Sequence, residues 1–153
     1  MGIAVLLHVL AVVIWVGGMF FAYVALRPVA ASQLEPPLRL ALWDGVFARF
    51  FPWVFVSIAV ILVTGLWMVF AVFGGFPAVG LYVHLMWWLG IIMMLIFLHV
   101  YFAPYKRLRA AVAAEDWPAG GKQLAMIRVM IGINLSLGLL VVAIASGGRI
   151  LLN

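Results

Sequence analysis

Two histidines carry the chemistry of this chain: His8 and His84 each fall near the start of a long apolar segment without charged residues. An ionisable ring at membrane depth is costly unless it is paired, hydrated or bound to a metal, so its presence marks a functional site. Two opposed imidazoles on transmembrane helices supply the axial ligands of one b-type haem. Taking the first helix from Ile3, His8 lies about 8 Å below its start, and His84 lies about 5 Å below the start of the helix beginning at Leu81. If both helices run the same way, the two rings share one leaflet.

Other residues could complete such a site. Trp15 falls on roughly the same helical face as His8, and Gly18 would let a flat macrocycle or a neighbouring helix approach the backbone. Trp88, one turn after His84, could stack beside a porphyrin or simply mark the membrane interface. Asn134 could orient a ligand or bridge two helices, and Arg149 could meet a haem propionate. His99 lies about 22 Å further along its helix than His84 and cannot share their site. It is a candidate for a second haem or substrate site, a proton-handling group or an interfacial polar residue.

The elements that must position these residues follow from composition. With 69% hydrophobic and 8% charged residues in a 153-residue chain, the protein belongs in a membrane. About 20 apolar residues cross the hydrocarbon core as a helix. Four segments qualify: Ile3 to Leu26, Phe51 to Phe73, Leu81 to Ala103 and Leu124 to Gly147. Backbone groups in lipid need partners within a helix or a closed barrel, and continuous apolar runs exclude the alternation of a barrel. The expected fold is an all-α, integral membrane four-helix bundle forming one domain, 1–153. The first span lacks a basic n-region and is expected to stay in the mature chain. With no cysteine, disulfides and thiolate ligands are excluded.

Arg27, Arg39 and Arg49 flank or fill the first connector, and Lys106, Arg107, Arg109, Lys122 and Arg128 do the same for the third. The second connector, Gly74 to Gly80, has no charge, and the C-terminal tail carries Arg149 alone. The positive-inside rule then predicts an N-out, C-out protein of the bacterial inner membrane with both termini periplasmic. Leu38, Leu42, Val46 and Phe50 form a stripe that fits either a short helix on the membrane surface or an extension of the second span kinked at Pro52. Tyr105 to Lys122 should continue the third helix for a few turns before reversing, with Asp116 capping the next helix. No Asp or Glu falls within a span, which argues against a pump built on buried carboxylates.

Several short strings are familiar as a set: Leu7-His8-Val9-Leu10, Trp15-Val16-Gly17-Gly18-Met19, Arg49-Phe50-Phe51-Pro52-Trp53, Thr64-Gly65-Leu66-Trp67, Tyr82-Val83-His84-Leu85-Met86, Leu98-His99-Val100-Tyr101 and Ile133-Asn134-Leu135. Together they resemble a compact member of the CopD-like (copper resistance protein D) membrane family, a likeness covering nearly the whole chain and implying copper resistance or import. The first helix is also similar to HemJ-type protoporphyrinogen oxidases, four-helix membrane proteins that bind haem b. That likeness implies haem ligation by His8 and by His84 or His99. Met86 or its neighbours stand where the HemJ pattern has a lysine, and Leu135 follows Asn134 where it has an acid. The similarity therefore implies the haem-binding scaffold rather than the oxidase activity.

The reading that follows is a haem b protein with His8 and His84 as axial ligands between the first and third helices. It would be a membrane oxidoreductase passing an electron from a donor such as quinol to a periplasmic acceptor. The first alternative is a copper-binding or copper-transport protein in which His8, His84, Met86 and Met19 hold Cu(I), since thioethers favour that ion. The second is a non-catalytic membrane partner subunit. Candidate partners are the lipid bilayer, a quinone, a periplasmic redox carrier and a second copy of the chain; nucleic acid is not among them.

Overall fold

The computed structural model describes residues 1–151, with side chains from 1 to 147. It contains four long helices and, among the described residues, no strand. They are α1 (Gly2–Gln33), α2 (Pro36–Val72), α3 (Leu81–Ala113) and α4 (Trp117–Leu151). All four are long and apolar enough to cross a membrane. The helices outrun the spans expected from hydropathy, above all at the arginine- and lysine-bearing end, here the basic end. There α2 starts at Pro36 and α3 runs on to Ala113. The stretch before Phe51 is thus an extension of the second helix, and the chain passes through Pro52 without leaving it.

Local chemistry accounts for the helix ends and irregularities. Pro36 and Pro37 occupy the first turn of α2, where a missing N–H costs nothing. α1 and α3 each contain a π-helical stretch, Phe21–Leu26 and Tyr101–Tyr105, beside Pro28 and at Pro104. Widening the turn there accommodates a ring that clashes with the carbonyl four residues back. Between α2 and α3, Gly74 and Gly75 take φ of 83° and 104°, a region that favours glycine. The α3–α4 reversal ends with Asp116 Oδ1 accepting the Ala119 N–H at 3.0 Å, the predicted cap.

α1 packs along α2 and α3 along α4, while α4 also touches α1 and α2. α1 and α3 therefore face each other across the diagonal of the bundle, where long side chains such as Trp15 and Phe97 meet edge to face at 6.3 Å. α2 and α3 are joined by an aromatic zipper built at four-residue spacing. Phe47, Phe51 and Phe55 of α2 interleave with Phe97, Tyr101 and Tyr105 of α3, with centroids 4.9–5.9 Å apart across the pairs Phe51–Tyr105, Phe55–Tyr101 and Phe47–Tyr105. This corrects the expected stripe: Leu38 is exposed, and the buried face is Leu40, Trp43, Phe47 and Phe51, the side turned to the aromatic partners. The outside of the bundle is apolar, with Ile3, Val63, Phe70 and Leu95 exposed. Such a surface suits lipid and would aggregate in water.

Gly18 sets the approach of α1 to α2, because a Cβ there would run into the ring of Phe50. Gly18→Ala is expected to destabilise the bundle by about 1–3 kcal/mol, the usual cost of forcing a methyl into packed space. Gly17→Ala, whose Cβ meets nothing within 4 Å, should be neutral or slightly stabilising. Denaturant unfolding in detergent checks both, and equal losses would contradict this packing.

Candidate metal centre

α1 and α3 both begin at the end of the bundle away from the basic connectors, and each places a histidine close to that start. His8 follows Gly2 by about 9 Å of helix rise and His84 follows Leu81 by about 5 Å. Both rings are half-buried.

Each ring is held by its Nδ1. His8 Nδ1 lies 2.9 Å from Thr64 Oγ1 on α2. The buried Thr64 hydroxyl is itself 2.5 Å from the Val60 carbonyl oxygen. Two oxygens that close require a proton between them, so Thr64 donates to Val60 and must accept from His8. The imidazole is therefore protonated at Nδ1, and in the neutral ring that leaves Nε2 as the lone-pair nitrogen. His84 is anchored through the same nitrogen by a shorter route, its Nδ1 donating to the Gly80 carbonyl at 3.2 Å. A metal-ligating histidine shows this pattern, with one ring nitrogen anchored to a fixed acceptor and the other left for the metal.

The surroundings differ. A Cβ at Gly65 would lie 3.4 Å from His8 Cε1, so the glycine admits the ring edge against α2. Over His84 sits Phe76 of the α2–α3 connector, 6.0 Å from the imidazole and 5.2 Å from Trp87. Thr64 and Phe76 are site residues that sequence reasoning missed. One of two hydroxyls in the apolar second span, with Ser57, was the available signal for Thr64, and nothing singled out Phe76 among eleven phenylalanines.

The remaining sequence candidates fall elsewhere. Trp15 and Asn134 come together in mid-bundle, both buried, lining a cavity of about 20 Å³ with Met19, Phe51 and Phe97. That is space for about one water, beside an Asn134 Oδ1 that has no hydrogen-bond partner. Gly18 is taken up by Phe50. Trp88 is 63% exposed and points out of the bundle. His99 is exposed on α3 near the basic end. Arg149 lies outside the residues whose side chains are described. Among the described residues, no three His, Asp or Glu side chains converge as a metal cluster.

A family model for copper resistance protein D matches residues 44–147. The chain belongs to the CopD family. The match takes in Thr64, His84, His99 and Asn134 and leaves α1, with His8, outside it. No curated protein and no solved structure matches the chain. The likeness to CopD read from the sequence is thus borne out, and this CopD-family chain is a multi-pass membrane protein.

The hydrogen bonds fix the ring states, which can be read without any metal. Nitrogen-15 NMR of the metal-free protein, labelled at histidine, should show His8 and His84 as Nδ1–H tautomers. In Thr64→Val the His8 signal should move towards a mixture of tautomers while His84 stays put. An Nε2–H tautomer at His8 in the wild type would contradict the geometry.

Proposed function

We propose that this CopD-family protein binds one haem b through Nε2 of His8 and Nε2 of His84 and carries single electrons through the membrane surface at that end of the bundle. The observation that carries the reading is the common anchoring of the two rings, each with Nδ1–H committed to a protein acceptor, which leaves Nε2 as the nitrogen that a metal would take. A macrocycle brings its own equatorial nitrogens, so two protein ligands suffice for it. The helices bearing the histidines stand across the diagonal rather than side by side, and a ligand filling the space between two imidazoles needs more than the 8–10 Å separating packed helices.

When bound through His8 and His84, the haem would supply a one-electron ferric/ferrous couple. The chain's own part is to orient and to shield. Thr64 and the Gly80 carbonyl hold the ring planes, and their removal should weaken metal binding by roughly 10–100-fold, the usual loss for such supporting partners. Phe76 and Trp87 limit water around His84, which favours a well-defined potential. A quinol in the bilayer is the proposed donor, giving its two electrons in successive transfers and releasing two protons. The acceptor is a periplasmic carrier, since the positive-inside rule turns the basic end to the cytoplasm and the histidine end outward.

The family match favours a second reading, in which the same two Nε2 atoms hold Cu(I). Met19 is not available to that site. It is buried in the core about 16 Å further along α1 than His8, leaving half-buried Met86 as the thioether near His84.

Absorption spectra of the detergent-purified protein, oxidised and then dithionite-reduced, separate the readings. The haem reading expects a low-spin b-type spectrum in the wild type and in His99→Ala, abolished in His8→Ala and in His84→Ala. A colourless wild type made with ample haem, binding one copper per chain and losing it in the same two variants, would overturn haem in favour of copper. Retention of pigment in both histidine variants would overturn paired ligation.

A further inference from the structure

At the basic end, away from the histidines, the first, second and fourth helices enclose a cavity of about 370 Å³. This is within the range of small-molecule sites, roughly 300–1,000 Å³. Three arginines line it from three elements: Arg27 of α1, Arg39 of α2 and Arg128 of α4. Among the described residues the one ion pair joins Arg109 to Asp44 at 4.0 Å. No described carboxylate is therefore within that distance of the three arginines. None of the four acids of the chain, Glu35, Asp44, Glu115 and Asp116, lines the cavity. The other walls are apolar and aromatic: Leu40, Phe47 and Ile127 are buried behind it, and Trp43 and Trp117 line its sides.

The position of the cavity along the membrane normal follows from the sequence. Arg27 is the first charged side chain of α1, and Arg128 is the last before the apolar run of α4. Both therefore mark the plane where hydrocarbon gives way to headgroups. Arg27 lies 4.6 Å above the ring of Tyr23, its own interfacial aromatic. Arg39 belongs to the α2 extension beyond that plane. A ligand here meets concentrated positive charge at headgroup level and apolar walls immediately beneath.

We propose that this cavity binds the phosphodiester headgroup of an anionic phospholipid, its phosphate among Arg27, Arg39 and Arg128 and its glycerol and first acyl carbons against Phe47, Leu124 and Ile131. Guanidinium forks suit phosphate oxygens in geometry and charge. A free phosphate ion offers the same oxygens but leaves the apolar walls uncovered, which favours the lipid as source. Basic pockets between helices at the cytoplasmic face are a known way of holding such headgroups. The proposal is independent of any metal at His8 and His84.

Native mass spectrometry of the full chain, released from neutral detergent with added phosphatidylglycerol, phosphatidylcholine or inorganic phosphate, tests it. One phosphatidylglycerol should remain on the wild type, while phosphatidylcholine should not. Retention should fall by roughly tenfold or more in Arg27→Gln/Arg39→Gln/Arg128→Gln, since each lost charged hydrogen bond weakens binding substantially. Lys106→Gln/Arg107→Gln, exposed at the same end but outside the cavity, should bind as the wild type does. Gly121→Leu provides a second route: Gly121 lines the cavity and its Cβ meets nothing within 4 Å, so a larger side chain starts in open space at the cavity and should also lower retention. Undiminished retention in both the arginine variant and Gly121→Leu would overturn the proposal. Displacement of the lipid by millimolar inorganic phosphate would assign the site to free phosphate and overturn the lipid assignment.

Discussion

An imidazole N–H placed in hydrocarbon has no water to fall back on, and an unmet donor there costs several kcal/mol. His8 meets this constraint by donating to Thr64, which in turn donates its hydroxyl hydrogen bond to the Val60 carbonyl. This chain of hydrogen bonds fastens α1 to α2 and fixes which ring nitrogen of His8 faces Thr64. His84 obeys the same constraint within its own helix start. The anchoring of the two imidazoles at this end is thus a consequence of how a membrane penalises an N–H left without an acceptor.

The rest of the bundle keeps that arrangement in place. Phe50 over Gly18 sets the spacing of α1 and α2, and the aromatic zipper of Phe47, Phe51 and Phe55 with Phe97, Tyr101 and Tyr105 ties α2 to α3. Edge-to-face contacts of this kind are directional and favour one register over slippage. α1 and α3 are consequently held across the diagonal, with the histidines at one end and the cavity bearing Arg27, Arg39 and Arg128 at the other. A single bundle so carries two chemically different ends, one with two imidazoles and one with clustered positive charge.

Four helices were legible in the chain because apolar runs of about 20 residues have no other stable form in lipid. The Asp116 cap and the continuation of α3 past Ala103 were legible from local chemistry. The course of the chain before Phe51 was not, since an amphipathic stripe fits a surface helix and a helix extension equally. The structure shows an extension whose buried face is one position round from the expected stripe, because Trp43, Phe47 and Phe51 have aromatic partners to meet. His8 and His84 were visible as costly residues at matched depth, but their acceptors were not: Thr64 is 56 residues from His8, and a pairing at that separation is set by packing. Trp88 and Gly18 illustrate the limit of reasoning by face and spacing, since one points outward and the other receives Phe50. The arginine cavity was invisible for the same reason, its charges arriving from three separate elements.

The central claim is that His8 and His84 place their Nε2 atoms on one metal. Pulsed electron paramagnetic resonance of the oxidised, haem-loaded protein, with nitrogen-15 introduced at histidine alone, tests it most directly. The account predicts a low-spin ferric signal coupled to two histidine nitrogens, falling to one coupling or to a high-spin signal when either histidine is replaced. A wild-type signal coupled to a single histidine nitrogen, or to none, would contradict it.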